Sequence, residues 1–209
     1  MQTKRLKRLH KEKEENSVPH ENFYVQPIDD NMLNWHFTIL GVKGTPFEGG
    51  VYHGCFKLPN DYPMNPPDIY FHTANGRFMN KGKICLTITG YHKSSWTPAW
   101  SIRTMTQAVA NYMIVKDRGI GSINESDAIK KQYAKDSKSF VCEFCGPTSE
   151  IEGLILRNNP KKVIEVKSET NVKKCELKTV KKKTDLLKVS ANKSDVKVVK
   201  VKAKRVKNS

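Results

Sequence analysis

Gly82-Lys83-Ile84-Cys85-Leu86-Thr87-Ile88 lies between two proline turns. Upstream is Asp61-Tyr62-Pro63-Met64-Asn65-Pro66-Pro67-Asp68, and eleven residues past the cysteine begins Trp96-Thr97-Pro98-Ala99-Trp100. From 73 to 100, Gly, Asn, Lys, Pro and Trp follow one another without period. A connection that long inside a compact domain is usually functional. A single cysteine flanked by Ile84 and Leu86 and held in such a loop is a candidate nucleophile, because a thiolate attacks carbonyl carbon readily. The competing reading is a buried structural cysteine.

Upstream of this loop, residues 33–40 alternate Leu33, Trp35, Phe37 and Ile39 with Asn34, His36 and Thr38, the pattern of a half-buried strand. Residues 22–28, 51–58 and 68–72 read as further strands, separated by the Gly41 to Gly50 turn and by the prolines. A helix over 3–15 precedes them, with Thr3 as a possible N-cap, a thin stripe of Leu6 and Leu9, and a stop at Val18-Pro19. After the loop, Ser101 caps a helix over 101–115 whose Ile102, Met105, Val109, Tyr112 and Met113 recur at helical spacing. Gly119 and Gly121 end it. A helix from about 126 to 140 and a shorter one near 147–157 follow. One helix, four antiparallel strands, a long loop and terminal helices make an α+β domain.

Composition divides the chain. Residues 151–209 hold 18 Lys and Arg against 6 Asp and Glu, so +12 of the net +16 lies there, and they contain no Trp, Tyr or Phe. Such a segment cannot bury enough apolar surface to offset its ordering entropy. The expected organisation is a folded domain over 1–158 and a basic, unstructured tail over 159–209. The Val-Lys alternation at 196–202 has no strand to pair with. No secretory h-region and no apolar run of about 18 residues occurs, so no membrane span is expected. Cysteines at 55, 85, 142, 145 and 175 are odd in number and irregularly spaced, which suits reduced thiols in the cytosol or nucleus. Cys142 and Cys145 have zinc-like spacing, but a four-ligand site needs a second pair. Cys175 sits alone in the tail, so they read as helix-end cysteines and no metal is expected. His72 falls at a strand end, and His10, His20, His36 and His53 carry no signal.

Residues 1–145 resemble the ubiquitin-conjugating enzymes. The resemblance rests on Lys4-Arg5-Leu6, on Gly44-Thr45-Pro46-Phe47-Glu48-Gly49-Gly50-Val51-Tyr52, and on Tyr62-Pro63 with Pro66-Pro67. Ile84-Cys85-Leu86 and Trp96-Thr97-Pro98-Ala99 complete the series in order. Most of that family has a His-Pro-Asn tripeptide about eight residues before the cysteine; here Phe71-His72-Thr73-Ala74-Asn75-Gly76-Arg77-Phe78 lacks it. Thr73-x-Asn75-Gly76-Arg77-Phe78, the insertion Tyr91-His92, and Gly121-Ser122-Ile123 are similar to the J-type branch, which lacks the tripeptide. That branch is usually tail-anchored in the endoplasmic reticulum membrane and serves protein quality control.

The resemblance implies the ubiquitin-conjugating fold and a Cys85 thioester with ubiquitin, received from an activating enzyme and passed to Lys, Ser or Thr of a substrate. ATP is consumed by the activating enzyme, so no cofactor is implied. It offers His92 as a base for hydroxyl acceptors, the alternative being a surface histidine bonded to its own loop. It offers Asn75 as a donor to the thioester oxyanion, the alternative being an Asn-Gly turn. Ser122, with Asn124 and Glu125, falls where the family orients the acceptor amine, and Ser126 reads as an N-cap. Lys4 and Arg5, with Lys7 and Arg8, fall where the activating enzyme docks. Met64, Pro98 and Ala99 fall where a RING or U-box ligase binds. The implied place is the cytoplasm, at the cytosolic face of the endoplasmic reticulum. Two other readings are an inert conjugating-enzyme variant, disfavoured by the presence of Cys85, and a basic nucleic-acid-binding protein. The latter is disfavoured because the charge lies in the tail and the folded part has no basic-aromatic patch; no nucleic acid partner is expected.

Overall fold

The computed structural model describes residues 2–30, 32–115 and 119–159. The expected tail beyond Asn159, Cys175 and the 196–202 alternation lie outside the described residues. Helix α1 (Gln2–Glu15) leads into strands β1 (Phe23–Pro27), β2 (Asn34–Leu40), β3 (Val51–Lys57) and β4 (Asp68–Phe71). They pair in that order as one antiparallel meander, with Phe37 opposite Val25 on one side and Gly54 on the other. The Tyr62–Pro63 peptide is cis. A short 3-10 segment, Gly90–Ser95, precedes α2 (Ile102–Ile114). Ser101 accepts from the Thr104 N–H and Thr104 reciprocates, closing a capping box where the N-cap was expected. Then come α3 (Asp127–Asp136), capped by Ser126, the hairpin β5 (Val141–Cys142) and β6 (Gly146–Pro147), and α4 (Thr148–Arg157).

The main core joins one face of the sheet to α2. Trp35, Phe37 and Ile39 are buried with Ile102, Met105 and Val109. Of the two leucines expected to anchor α1, Leu9 is in this core and Leu6 lies at the surface, 37% exposed. The anchor the apolar pattern misses is Glu12, only 1% exposed. Its carboxylate accepts from Arg8 Nε at 2.8 Å, Tyr62 Oη at 3.1 Å and the Ile102 N–H at 3.0 Å. One charged group thus joins α1, the proline turn and the start of α2. A buried carboxylate is tolerated because its lone pairs are filled by a cation and two further donors.

Strand β2 departs from the half-buried expectation. His36, Thr38 and Leu40, on the face read as solvent-facing, are buried. The α4 residues Ile151 and Ile155 pack there with Leu40 and Val51. Burial of such side chains contributes about 1.5–3 kcal/mol each. The Ser137 hydroxyl accepts from the Val51 N–H at 2.8 Å and fixes the segment between α3 and the hairpin to the edge of β3. The helix expected to run to 140 ends at Asp136; a 3-10 turn over Ser137–Ser139 and extended Phe140 follow. That break lets the chain fold back over the second face of the sheet.

Candidate active site

Cys85 lies on a segment pinned from both sides. The Ile84 N–H donates to Ile69 O on β4 at 3.1 Å, and the Cys85 N–H donates to Ile120 O at 2.8 Å. Ile84 and Leu86 are buried while Cys85 is half-buried, so the flanks anchor the backbone and leave the thiol at the surface. Thr89 fixes the next turn. Its hydroxyl donates to Leu86 O at 2.8 Å and accepts from the Leu86 N–H, while its own carbonyl accepts from the His92 N–H at 2.9 Å. One fully buried threonine thereby sets the position of both the cysteine turn and the histidine turn.

His92 interrupts the 3-10 segment with φ −123° and ψ 50°. The exposed imidazole returns over the loop and places Nε2 3.1 Å from Cys85 Sγ. A ring nitrogen at that distance can exchange a proton with the sulfur or with an acceptor approaching it. Lys83, two residues before the cysteine, is paired with Asp68 at 2.6 Å and lies over the Tyr91 ring. The hydrogen bond to Asp68 raises the lysine's pKa above its usual range, so it remains a fixed cation beside the loop.

Asn75 is fully buried. Its Oδ1 accepts from the Arg77 and Phe78 N–H groups at 2.9 and 2.7 Å, and its Nδ2 donates to Thr73 O at 3.3 Å. The side chain is an internal brace for the turn at Gly76, whose φ is +74°. The amide is fully buried and three of its contacts are internal, so the turn-brace alternative is the role these contacts describe. Ser122 lies in the turn beside Cys85. Its hydroxyl donates to Gly119 O at 2.6 Å and accepts from the Gly119 N–H at 3.0 Å. A Cβ on Gly119 would come within 2.9 Å of the Cys85 carbonyl, so the close approach of this turn needs glycine. Ser122 holds the turn that receives the Cys85 N–H; Asn124 is exposed and accepts from Lys130 Nζ at 3.4 Å.

The expected docking residues come together. The Trp96 indole donates to Pro63 O at 2.9 Å and draws the two proline turns side by side. Arg8 donates to Pro98 O and Trp100 O at 3.2 and 2.8 Å, and Arg5 donates to Asn60 O at 2.5 Å. Met64, 67% exposed, and exposed Pro98 and Ala99 therefore share a rim with α1, which carries exposed Lys4.

With that geometry, the comparisons are specific. Residues 8–144 match the ubiquitin-conjugating enzyme family. The chain belongs to that family. Ubiquitin-conjugating enzyme E2 J1 of Homo sapiens is 46% identical over 142 residues, 68% of this chain and 45% of that protein. Ubiquitin-conjugating enzyme E2 6 of Eremothecium gossypii is 40% identical over 135 residues, 65% of this chain and 55% of that protein. The E2 J2 of Mus musculus is 40% identical over 138 residues, 66% of this chain and 52% of that protein. The chain spans about half the length of the curated relatives it matches, and two of these three, E2 J1 and E2 J2, bear the name of the J type to which Thr73–Phe78 and Tyr91-His92 pointed. A crystal structure of a "putative ubiquitin conjugating enzyme" from Plasmodium yoelii has TM-score 0.53 at 27% identity, over 63% of this chain and 93% of that one. The ubiquitin-conjugating fold expected from sequence is the fold observed. Among the described residues no helix is long and apolar enough to cross a membrane.

Sequence reading missed a second cluster. His36, His53, Cys142 and Cys145 bring their ligand atoms within 4.8 Å of one another on the covered face of the sheet, which corrects the reading of Cys142-x-x-Cys145 as two helix-end cysteines lacking a second pair. The second pair is two histidines, not cysteines, from strands about a hundred residues earlier. Burial pushes His36 down to about 4 and His53 to about 3, and pushes the Cys145 thiol up to about 12. The signal present in the sequence was Cys-x-x-Cys-Gly together with two histidines on same-face strand positions.

Proposed function

We propose that the protein is a ubiquitin-conjugating transferase acting through Cys85. The Cys85 thiolate attacks the carbonyl carbon of the activating enzyme's ubiquitin thioester. The new C–S bond forms as the old one breaks, and the departing thiolate takes up a proton. Discharge repeats the exchange with an acceptor nitrogen or oxygen, and Cys85 leaves as thiolate. The observation that carries the reading is the 3.1 Å contact between Cys85 Sγ and His92 Nε2 on one exposed loop, within the residues that match the family.

His92 acts as the base. A hydroxyl is a poor nucleophile at neutral pH unless its proton is removed as it attacks, whereas part of a lysine population already has a free amine. The pair therefore supports transfer to Ser and Thr as well as Lys. Ser122 acts as a positioning residue through the Gly119–Ser122 turn. The rim of Lys4, Arg5, Met64, Pro98 and Ala99 supports docking of the activating enzyme and of a RING or U-box ligase. The J-type relatives favour a role in protein quality control at the cytosolic face of the endoplasmic reticulum. The test is incubation with activating enzyme, ubiquitin and ATP. A dithiothreitol-sensitive adduct of one ubiquitin mass on Cys85 is the expected result, and its absence refutes the reading.

A further inference from the structure

On the face of the sheet opposite α2, four side chains converge. His36 on β2 and His53 on β3 come from the sheet; Cys142 and Cys145 come from the β5–β6 hairpin. His36 Nδ1 lies 3.4 Å from Cys142 Sγ, 3.6 Å from Cys145 Sγ and 3.2 Å from His53 Nε2. We propose that these four residues hold one zinc ion as a structural Cys2His2 site.

The distances fit a shared ligand better than hydrogen bonds. An imidazole Nδ1 has either one lone pair or one proton, so it cannot make three good hydrogen bonds at once. A central ion satisfies four lone pairs together. Zinc–sulfur bonds of about 2.3 Å and zinc–nitrogen bonds of about 2.0–2.1 Å in a tetrahedron put N···S edges at roughly 3.5 Å and N···N edges at roughly 3.3 Å. The N···S edges of 3.4 and 3.6 Å bracket the first value, and the N···N edge of 3.2 Å lies just below the second.

The surroundings have the other marks of such a site. His53 Nδ1 lies 2.9 Å from Thr38 Oγ1, so in the zinc-binding tautomer Nδ1–H has the hydroxyl as its acceptor and Nε2 keeps its lone pair for the metal. Gly146 follows Cys145 with φ +78°, allowing the chain to reverse directly after the second thiol. The hairpin strands are two residues each, too short to hold their place by pairing alone. Binding releases one proton from each thiol. Two thiolates neutralise the dication, so the buried site carries no net charge. Soft sulfur with imidazole in a tetrahedron selects zinc over calcium or magnesium. His36 also groups with Cys55 and His72, and His72 Nε2 is buried without a hydrogen-bond partner. That set has three ligands, only one of them a thiol, so it is the weaker claimant.

The experiment uses the full chain, reduced, incubated with zinc chloride, dialysed, and assayed by elemental mass spectrometry. About one zinc per chain is expected. Cobalt exchanged for zinc should give intense tetrahedral d–d bands with thiolate charge transfer. Cys142→Ser and Cys145→Ser should each lose the bound zinc, while Cys55→Ser, His72→Gln and Cys85→Ser retain it. Should a cysteine variant fail to fold, stripping zinc from the unmodified chain with a chelator must lower its melting midpoint and restoring zinc must recover it. Less than ~0.1 zinc per chain after loading overturns the proposal. So does a six-coordinate cobalt spectrum, loss of zinc in Cys85→Ser or Cys55→Ser but not in Cys142→Ser, or a Cys142–Cys145 disulfide trapped by alkylation at cell lysis.

Discussion

Two cysteine–histidine contacts of nearly equal length sit on opposite sides of this domain. Cys85 and His92 are 3.1 Å apart on an open loop; Cys142 and His36 are 3.4 Å apart beneath α4 and the hairpin. The chemical pair is the same and the surroundings differ. At the loop, a protein-sized thioester can reach the sulfur and water can carry away its proton. Under the hairpin no protein-sized group can reach the sulfurs, and burial shifts both histidines down and the Cys145 thiol up. Exposure, not the identity of the pair, separates a group that reacts from a group that holds the fold.

If that division is right, substitutions at the loop change rates and leave melting alone, and substitutions under the hairpin do the reverse. The largest effect is expected for Cys85→Ser, which should retain its melting midpoint and lose thioester transfer entirely, with a thiol-stable ester as the residual product. Any normal discharge in that variant would remove Cys85 from the mechanism. His92→Gln should slow discharge of the purified conjugate onto free serine or threonine by about 10²-fold, the lower end for a general base. Loss on lysine should be smaller and charging unchanged. Equal small losses on serine and lysine, measured in single turnover across about pH 6–8, would make His92 a loop brace.

Beneath the hairpin, Thr38→Val keeps the volume but leaves the buried His53 Nδ1–H without its partner. A loss of about 1–2 kcal/mol is expected, a fall in melting midpoint of roughly 2–8 °C, with Cys85 charging unaffected. A slowed charging rate at unchanged midpoint would show that the two poles are coupled. The smallest effect is expected from removing residues 160–209. With no aromatic residue there to enter a core, the midpoint should move by less than ~4 °C, about 1 kcal/mol in a domain of this size.

The loop pole was legible in the sequence and the hairpin pole was not. Cys85 and His92 are seven residues apart, so one turn brings them together, and the motif around them is dense. Strands β1 to β4, and α2 with its Ser101 cap, announce themselves through alternation, helical spacing and proline or glycine stops. Asn75 shows the limit of position alone. Its place ahead of the cysteine suggested an oxyanion donor, whereas the contacts its amide makes are to Thr73, Arg77 and Phe78 in its own turn. The alternation of β2 correctly separated two faces but could not say that the polar one would be covered. Its covering arrives from residues 137–157, after a helix break that the sequence pattern ran through. Strands of two residues have too few positions to show a period at all.

The contact between His36 and Cys145 spans 109 positions of the chain. During synthesis the sheet and its first histidines leave the ribosome long before the hairpin that meets them. The rear face of β2 and β3 therefore stays open to the cell until the last quarter of the domain has emerged. Contacts of such separation slow folding, because closure entropy must be overcome before they form. Completion of this domain is thus the last step of its own folding, set by the arrival of the short segment around Cys142 and Cys145 rather than by the loop that carries Cys85.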